Sequence, residues 1–325
     1  MERESVCVAT QVATTPPPAK TKKLKKWTTA EIEIFIYAML GVVFVAIFSY
    51  VPMYGLILAF KNGDGQLNIS TAISQTDWVW FANFKEFLID PEFWPVVWNT
   101  LGLNIIQLVI TFPAPILFAI LLSEIQSKQF KKWVQIITFL PHFLSWIVYG
   151  GIFIGLLDFD SGILNYLITS MGGNPVDILG GEQYFWWLII FTALIKGVGW
   201  GSVIYIAAIA GISPEIYEAA QLDGANRWHK AVHITVPSIT PTITLFLILS
   251  ISGLLNSGFD QIWIFQNTNN LGRSEVIDTF LYKYGIIDLR YSYTTALGLF
   301  KSVVSVILLV LGNMASKFFT GKGII

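Results

Sequence analysis

The residues of this chain that could do chemistry indicate binding and not catalysis. A G-x-x-x-x-G-K-[ST] loop for a nucleotide phosphate is missing, and the only Gly-Lys pair is Gly321-Lys322. The three histidines, His142, His229 and His233, show no H-E-x-x-H motif or other arrangement typical of metal ligands. The single cysteine excludes an intrachain disulfide and a cysteine-based zinc cluster. We therefore predict no catalytic residue, no metal site and no cofactor bound by this chain.

Polar and aromatic side chains interrupt three long apolar segments. Polar groups inside such segments usually face protein or a water-filled cavity, and rings beside amide, carboxylate or hydroxyl groups are typical of ligand sites. Structural interpretations stay open, because Gly197 and Gly199 could only permit close helix packing and Trp146 could lie in a lipid-facing belt. The candidates for a ligand path are Phe143, Trp146, Lys196, Gly197, Trp200, Asn256, Phe259 and Asp260.

One of these groups has a helical repeat. Ser252, Asn256 and Asp260 recur at every fourth position, which predicts a polar stripe along one face of a helix. The alternative is that Asp260 only neutralises Lys196 or Lys301 within a helix bundle. We expect Lys301 to be structural.

The elements that carry these residues must be membrane helices. The chain has 325 residues, of which 54% are hydrophobic and 13% are charged, and its mean hydropathy is +0.63. Ordinary soluble domains carry about 25% charged residues, so a soluble fold of this size could not cover its surface. The chain is also too apolar to be disordered, and a net charge of −1 offers no basic field for nucleic acid.

Six apolar segments are long enough to cross a bilayer, since a spanning helix needs about 20 apolar residues. We predict an all-α polytopic membrane protein with six transmembrane helices, because an open sheet would leave backbone groups unsatisfied in lipid. Pro113 and Pro115 interrupt the second segment, and Pro141 lies inside the third. The segments are 34–60, 93–123, 133–157, 185–212, 236–259 and 291–314.

The distribution of Lys and Arg predicts the orientation. With the N-terminus inside, 13 of the 20 basic residues fall in inner segments, 5 in outer loops and 2 in spans, so both termini are predicted to be cytoplasmic. The first apolar run is too long and starts too late for a cleavable signal peptide. The predicted organisation is a basic flexible cytoplasmic tail at 1–33, a first transmembrane helix at 34–60, an extracytoplasmic loop at 61–93, a five-helix domain at 94–316 with an inner loop at 214–235, and a cytoplasmic tail at 317–325.

The inner loop carries the signals of two short helices joined by a tight turn. Ser213 is a suitable N-cap, and Pro214 suits the first helical position. Gly224 can adopt a positive φ and end the first helix, while Asn226 can cap the second. The pattern predicts a helix–turn–helix elbow at the membrane surface, shaped to dock against another protein.

The elbow also matches a fixed pattern of residues. It contains Glu218-Ala219-Ala220, then Asp223-Gly224-Ala225, then Ile234-x-Val236-Pro237, with ten positions from the glycine to the isoleucine. This pattern resembles the signature loop of binding-protein-dependent ABC import permeases, in which leucine stands where this chain has Val236. The resemblance implies that the loop docks in a cleft of a separate ATPase subunit and passes on its motion. The residues to which it assigns this role are Tyr217, Glu218, Ala219, Ala220, Asp223, Gly224, Ala225, Ile234 and Pro237.

Further stretches resemble the polysaccharide or lipo-oligosaccharide branch of the carbohydrate-uptake permeases. They are Asn99-Thr100-Leu101, Phe112-Pro113-Ala114-Pro115, Pro141-His142-Phe143-Leu144-Ser145-Trp146 and the run from Gly253 to Gln261. The resemblance covers about residues 95–320 and implies a type I ABC importer transmembrane domain in a bacterial cell membrane. It also implies sugar contacts on spans three, four and five, which suits rings and hydrogen-bonding groups because sugars offer hydroxyls and apolar C–H faces. The implied partners are a sister permease, two ABC ATPase subunits holding ATP and Mg, an extracytoplasmic solute-binding protein, a saccharide and the lipid bilayer.

Two alternative functions stay open at this point. The same machinery could carry a non-sugar solute, such as an amino acid or polyamine. An ion-coupled secondary carrier is a different class, but it would show internal repeats and interrupted helices in both halves, and we find no convincing repeat. The long outer loops at 61–93 and 260–290 could either dock a binding protein or cap the mouth of the pore.

Overall fold

The computed structural model describes residues 28–66 and 68–320, and these residues are predominantly helical. Within this part of the chain, the β-type pairing is an isolated antiparallel bridge between Lys61 and Trp78. The described residues are divided into two compact units at Tyr54 and Gly55. Residues 1–27 of the predicted basic tail lie outside the described residues.

The α-helices follow one another in chain order, separated by short turns or by single π- and 3₁₀-helical segments. They are α1 (Thr29–Val45), α2 (Ile69–Ser74), α3 (Ala82–Ile89), α4 (Phe93–Thr111), α5 (Pro113–Ser123), α6 (Lys128–Phe139), α7 (Trp146–Leu157), α8 (Ile163–Ser170), α9 (Glu182–Ala210), α10 (Pro214–Leu222), α11 (Arg227–Lys230), α12 (Val236–Ser252), α13 (Phe259–Phe265), α14 (Leu271–Ser274), α15 (Ile277–Tyr282) and α16 (Tyr291–Thr320). The π-helical segments are Ala46–Tyr50, Ala231–Thr235 and Lys283–Ile287, and the 3₁₀ segments are Val51–Phe60 and Leu140–Phe143.

Five helical stretches among the described residues are long and apolar enough to span a membrane, and a bent pair brings the number to six. This agrees with the prediction of an all-α protein with six spans. The stretches are Thr29–Phe60, Phe93–Ser123, Glu182–Ala210, Arg227–Ser252 and Tyr291–Phe318, with Lys128–Phe143 plus Trp146–Leu157 as the bent pair.

Two span ends differ from the prediction. The first helix starts at Thr29, inside the predicted tail, because Thr28 and Glu31 form a capping box. The last helix continues to Thr320, beyond the predicted end at residue 314. It extends because no glycine or proline follows until Gly321.

Span three is broken, whereas the sequence pattern predicts one helix over 133–157. Its halves, α6 and α7, are inclined by 101° to each other. Pro141 lies in the 3₁₀ segment between them, and Leu144 has an extended backbone (φ −75°, ψ 139°). The hydroxyl of Ser145 then accepts a hydrogen bond from the Val148 N–H and caps α7. Proline removes a helical donor, which favours a break at this point.

Span five ends earlier than predicted, at Ser252 and not at residue 259. The following backbone is irregular and includes Gly258 in the left-handed region, with φ +71°. Asn256 therefore lies in the irregular segment and Asp260 in the first turn of α13. The predicted stripe of Ser252, Asn256 and Asp260 on one helix face is wrong.

Side chains that are distant in sequence stabilise the irregular segment that follows Ser252. Asn104 on α4 donates from Nδ2 to the Leu254 carbonyl (2.8 Å) and to Ser257 Oγ (2.9 Å). The Asp278 carboxylate accepts a hydrogen bond from the Ser257 backbone N–H at 2.8 Å, and Lys301 forms an ion pair with Asp278. These contacts satisfy backbone groups that a continuous helix would have paired internally. They give Lys301 a structural role.

The long helix α9 is the centre of the packing. One buried cluster joins its N-terminal half to α4 and α13 and includes Leu103, Ile189 and Ile262. A Cβ atom on Gly199 would lie 2.2 Å from the Thr138 carbonyl oxygen, so this glycine permits α6 to approach closely. A Cβ atom on Gly197 would meet nothing within 4 Å. The packing interpretation therefore applies to Gly199 and not to Gly197.

The two long loops predicted to be outside pack against each other. Asp64 in the first loop accepts a hydrogen bond from the Ser292 N–H at 2.7 Å and forms an ion pair with Arg290 at 3.4 Å. The Tyr284 hydroxyl donates to Glu92 at 2.8 Å. These contacts join the loop before α4 to the segment before α16. Two segments that are distant in sequence therefore pack together as one layer.

Candidate functional site

The elbow has the turn that the sequence predicts. Gly224 has φ +79°, the Ala225 N–H donates to the Ala220 carbonyl (2.9 Å) and the Gly224 N–H donates to the Gln221 carbonyl (3.1 Å). This pair of bonds is the Schellman motif that ends a helix. The Asn226 side chain then accepts from the His229 N–H at 2.8 Å and caps α11.

One predicted cap is absent. Ser213 occupies the N-cap position of α10, but its side chain makes no capping hydrogen bond to the helix. Pro214 at the first helical position has no N–H to satisfy and its φ is already close to the helical value, so the helix starts without a side-chain cap.

The elbow is tied to the membrane helices at two points. The Tyr217 hydroxyl lies 2.9 Å from Thr235 Oγ1, which links α10 to the residues just before α12. Arg227 lies 3.8 Å from Glu124, next to the end of α5. Since α10 contacts the base of span five through Tyr217, a displacement of α10 is expected to move α12.

Large apolar side chains project from the elbow. Leu222 is 90% exposed and Trp228 is 74% exposed. Neither residue is among the predicted docking residues, although a leucine and a tryptophan in a polar loop are a signal of a contact surface. Of the motif residues, Glu218, Ala219, Asp223, Gly224 and Pro237 are exposed, while Tyr217, Ala220, Ala225 and Ile234 are half-buried.

Lys196 binds the backbone at the break in span three. It is buried, and its ammonium donates to the carbonyls of Pro141 (2.9 Å), His142 (3.1 Å) and Leu144. The ammonium also lies 5.2 Å from the ring centre of Trp146. The Pro141 carbonyl also accepts from the Leu144 N–H at 3.3 Å, but the carbonyls of His142 and Leu144 have lost their helical donors at the break, and the lysine satisfies them. Lys196 does not pair with Asp260, so that interpretation is wrong.

Aromatic rings assemble beside the same break. Trp200 stacks on His142 with ring centres 4.5 Å apart and planes inclined by 3°. Phe143 meets Trp200 edge-on at 6.1 Å. Trp200 and Phe143 nevertheless remain 51% and 70% exposed, so they present flat apolar faces outward from the chain.

A groove runs between spans two, four and five, and we call its two adjoining cavities the central groove. The larger cavity, of about 350 Å³, includes Trp200 in its lining. The smaller, of about 180 Å³, includes Gln107 and Asn256. The cavities share Leu108, Thr111 and Ser250.

Gln107 is a groove residue that sequence analysis missed. Its side-chain oxygen is buried and makes no hydrogen bond with any other described residue. A buried amide oxygen without a donor is costly unless a ligand, water or partner supplies one. Its presence inside an apolar segment was the available signal.

Apart from Gly197, which lines neither cavity, the predicted path residues divide into three sets. Phe143, Trp146, Lys196 and Trp200 meet at the break in span three. Asn256 lines the opposite end of the central groove. Phe259 and Asp260 do not line either cavity, and they lie on α13. Asp260 pairs with neither Lys196 nor Lys301, which bind the carbonyls of span three and Asp278 respectively.

Comparison with known proteins gives consistent results. A family profile described as "Binding-protein-dependent transport system inner membrane component" matches residues 93–320. Protein LplB of Bacillus subtilis (strain 168) is 36% identical over 93% of this chain and 92% of its own length. The polygalacturonan/rhamnogalacturonan transport system permease protein YteP of the same organism is 37% identical over 89% and 90%. A chain of a bacterial alginate ABC transporter, solved with an alginate pentasaccharide-bound periplasmic protein, has a TM-score of 0.81 and 32% identity over 92% of this chain and 100% of that chain.

Proposed function

Since the chain belongs to the family of binding-protein-dependent transport system inner membrane components, we propose that it is the permease half of an ATP-driven importer that moves an oligo- or polysaccharide into the cell. The chain is a membrane-spanning transport subunit, and the relative YteP is named as a permease protein and not as an ATPase. The family excludes the secondary carrier. The names of the relative YteP and of the alginate transporter, which refer to polygalacturonan, rhamnogalacturonan and alginate, support a saccharide as the substrate.

The elbow carries the energy-coupling part of the proposal. Its tip is a rigid turn, its exposed surface is apolar at Leu222 and Trp228, and its base is bonded to span five through Tyr217 and Thr235. A surface of this kind suits docking in a cleft of a moving partner, because covering exposed apolar side chains lowers the free energy. The partner is an ABC ATPase subunit holding ATP and Mg.

The central groove carries the substrate part. Trp200 supplies a flat face on which a sugar ring can stack, and Gln107 and Asn256 supply amides for its hydroxyls. The groove is open on one side, so a sister permease would complete the path. The full assembly then contains two permeases, two ATPases and an extracytoplasmic binding protein that delivers the saccharide.

The proposal includes an orientation with both termini in the cytoplasm, which places loops 158–184 and 260–290 outside and 214–235 inside. In a variant that lacks Cys7, S161C should react with an impermeant maleimide added to intact cells, because Ser161 is exposed in the outer loop. Q221C, which is exposed on the elbow, should react only after the cells are opened. The reverse labelling pattern would overturn the orientation and the role of the elbow.

Trp200 and Asn256 test the substrate path. W200A and N256A should each lower uptake about tenfold, which corresponds to about 1.4 kcal/mol of lost stabilisation. Assembly and basal ATP hydrolysis should remain near the wild-type values, since neither side chain is part of a buried core cluster. Uptake of labelled oligosaccharide and ATP hydrolysis are measured on the same proteoliposomes.

W98A is the control for Trp200, because Trp98 is also exposed (68%) but does not line the central groove. It should transport normally. Full uptake by both W200A and N256A would remove the groove from the proposal and leave the family assignment intact.

A further inference from the structure

Three aromatic rings cluster where α13 meets α15, apart from the central groove. Phe259 and Trp263 lie nearly parallel, with ring centres 5.4 Å apart and planes inclined by 20°. Tyr282 lies 5.0 Å from Phe259 and 4.9 Å from Trp263. Trp263 remains 43% exposed, so the cluster is not a closed core. Part of the Trp263 ring is therefore left uncovered by this chain.

A carboxylate shares this face. Asp260 lies three residues before Trp263, about one helical turn away, and both are exposed, while Gln261 and Ile262 on the opposite face are buried. Asp260 makes no hydrogen bond or ion pair with another residue in the described part of the chain. Its oxygens are therefore free to accept hydrogen bonds from an external donor.

The depth of α13 restricts what can cover this face. Gln261 donates to the Ile189 carbonyl on α9 at 2.7 Å, and Ile189 is seven residues from the start of that helix at Glu182. At a rise of about 1.5 Å per residue, this contact lies about 10 Å from the N-terminal end of α9, which is the end predicted to face outward. A carboxylate at that depth is costly in contact with lipid, so the face is directed to water or to polar groups.

The face follows the central groove closely in the chain. Asn256, which lines the smaller cavity of the groove, is only three residues before Phe259 and four before Asp260. Gly258, with φ +71°, turns the chain between the groove and α13. A ligand leaving this face would therefore meet the amide of Asn256 next.

We propose that Phe259, Asp260, Trp263 and Tyr282 form an entry site, where one ring of the saccharide stacks on Trp263 before it passes into the central groove. Stacked rings bind the apolar C–H face of a sugar, and the Asp260 carboxylate accepts hydrogen bonds from its hydroxyls. The entry site rests on the proposed function, because it assigns a place on the path of the same saccharide. It adds Trp263 and Tyr282, which the sequence pattern did not indicate.

The test separates stacking from packing at position 263. The importer is reconstituted in proteoliposomes with its sister permease, ATPases and binding protein, and uptake is measured with labelled galacturonan and arabinan oligosaccharides of two to five sugars. W263L retains apolar bulk but has no ring, and we expect it to reduce uptake about tenfold. W263F retains a ring and should recover most of the uptake. D260A should reduce uptake more than D260N, because the amide still has an acceptor oxygen.

W187L is the matched control. Trp187 is exposed (59%) and lies near the N-terminal end of α9, but it is not one of the clustered rings. It should behave like wild type. Equal uptake by W263L, W263F and wild type would overturn the entry site while leaving the importer function intact. Loss of assembled complex in W263L and W263F alike would identify the face as a subunit contact and also overturn the proposal. If the wild type moves none of the oligosaccharides, the proposed function fails and the entry site fails with it.

Discussion

Replacing Gly224 with aspartate should abolish transport while leaving the protein in the membrane. Gly224 has φ +79°, and a Cβ atom built on it would meet nothing within 4 Å in this chain. The substitution therefore adds only the backbone strain of a left-handed residue, about 1–2 kcal/mol, within the subunit itself. Aspartate is among the residues that tolerate this region best. A loss of uptake greater than tenfold must then come from a partner that covers the turn.

The loop at 158–184 supplies a matched control in G172D. Gly172 has φ +82°, open space around it and the same pair of turn hydrogen bonds, from Gly172 N–H to the Thr169 carbonyl and from Gly173 N–H to the Ile168 carbonyl. G172D should have the same intrinsic strain and keep most of its transport. Uptake and the amount of purified complex are compared side by side. Normal uptake by G224D, or an equal loss in both variants, would contradict docking at the elbow.

Lys196 is expected to be the most sensitive position for stability. K196M would leave the carbonyls of His142 and Leu144 without a donor, whereas the Pro141 carbonyl would keep its bond from the Leu144 N–H at 3.3 Å. Each carbonyl left without a partner costs about 1–3 kcal/mol, so we expect a loss of about 2–6 kcal/mol and little assembled complex. The measurement is the yield and thermal unfolding midpoint of the complex purified with its partner subunits.

K132M is the control, because Lys132 is an exposed lysine on α6, in the half of span three that precedes the break. It should assemble normally. A K196M complex that forms in normal amount and unfolds at the wild-type temperature would refute the structural role. If such a complex lost uptake only for anionic saccharides, Lys196 would instead be a substrate contact.

The elbow could be predicted from sequence because its signals are local. Gly224 ends a helix by its own backbone preference, and Asn226 caps the next helix with a side chain that reaches three residues. The membrane spans were predictable for a related reason, since hydropathy over about 20 residues depends only on neighbouring positions. Local signals still failed at Ser213, where the proline that follows makes the cap unnecessary.

The end of span five could not be predicted because distant residues determine it. The sequence carries no charge from residue 236 to residue 259, yet the helix stops at Ser252. The irregular turn is stabilised by Asn104 and Asp278, which bond to the Leu254 carbonyl and to the Ser257 N–H. A regular period of four therefore predicted a stripe that the fold does not contain. The same limitation applies to Lys196, whose carbonyl partners are more than fifty residues away in sequence.

The most direct test of the central claim is ATP-dependent uptake by the reconstituted importer. The chain is assembled with its sister permease, ATPase subunits and binding protein in proteoliposomes, and labelled oligosaccharides of galacturonan and arabinan are added with ATP enclosed on the elbow side. We predict accumulation of at least one of them that requires ATP and the binding protein and is lost in G224D. ATP-independent equilibration, or no saccharide uptake while an amino acid or polyamine accumulates, would contradict the claim that this subunit belongs to a saccharide importer.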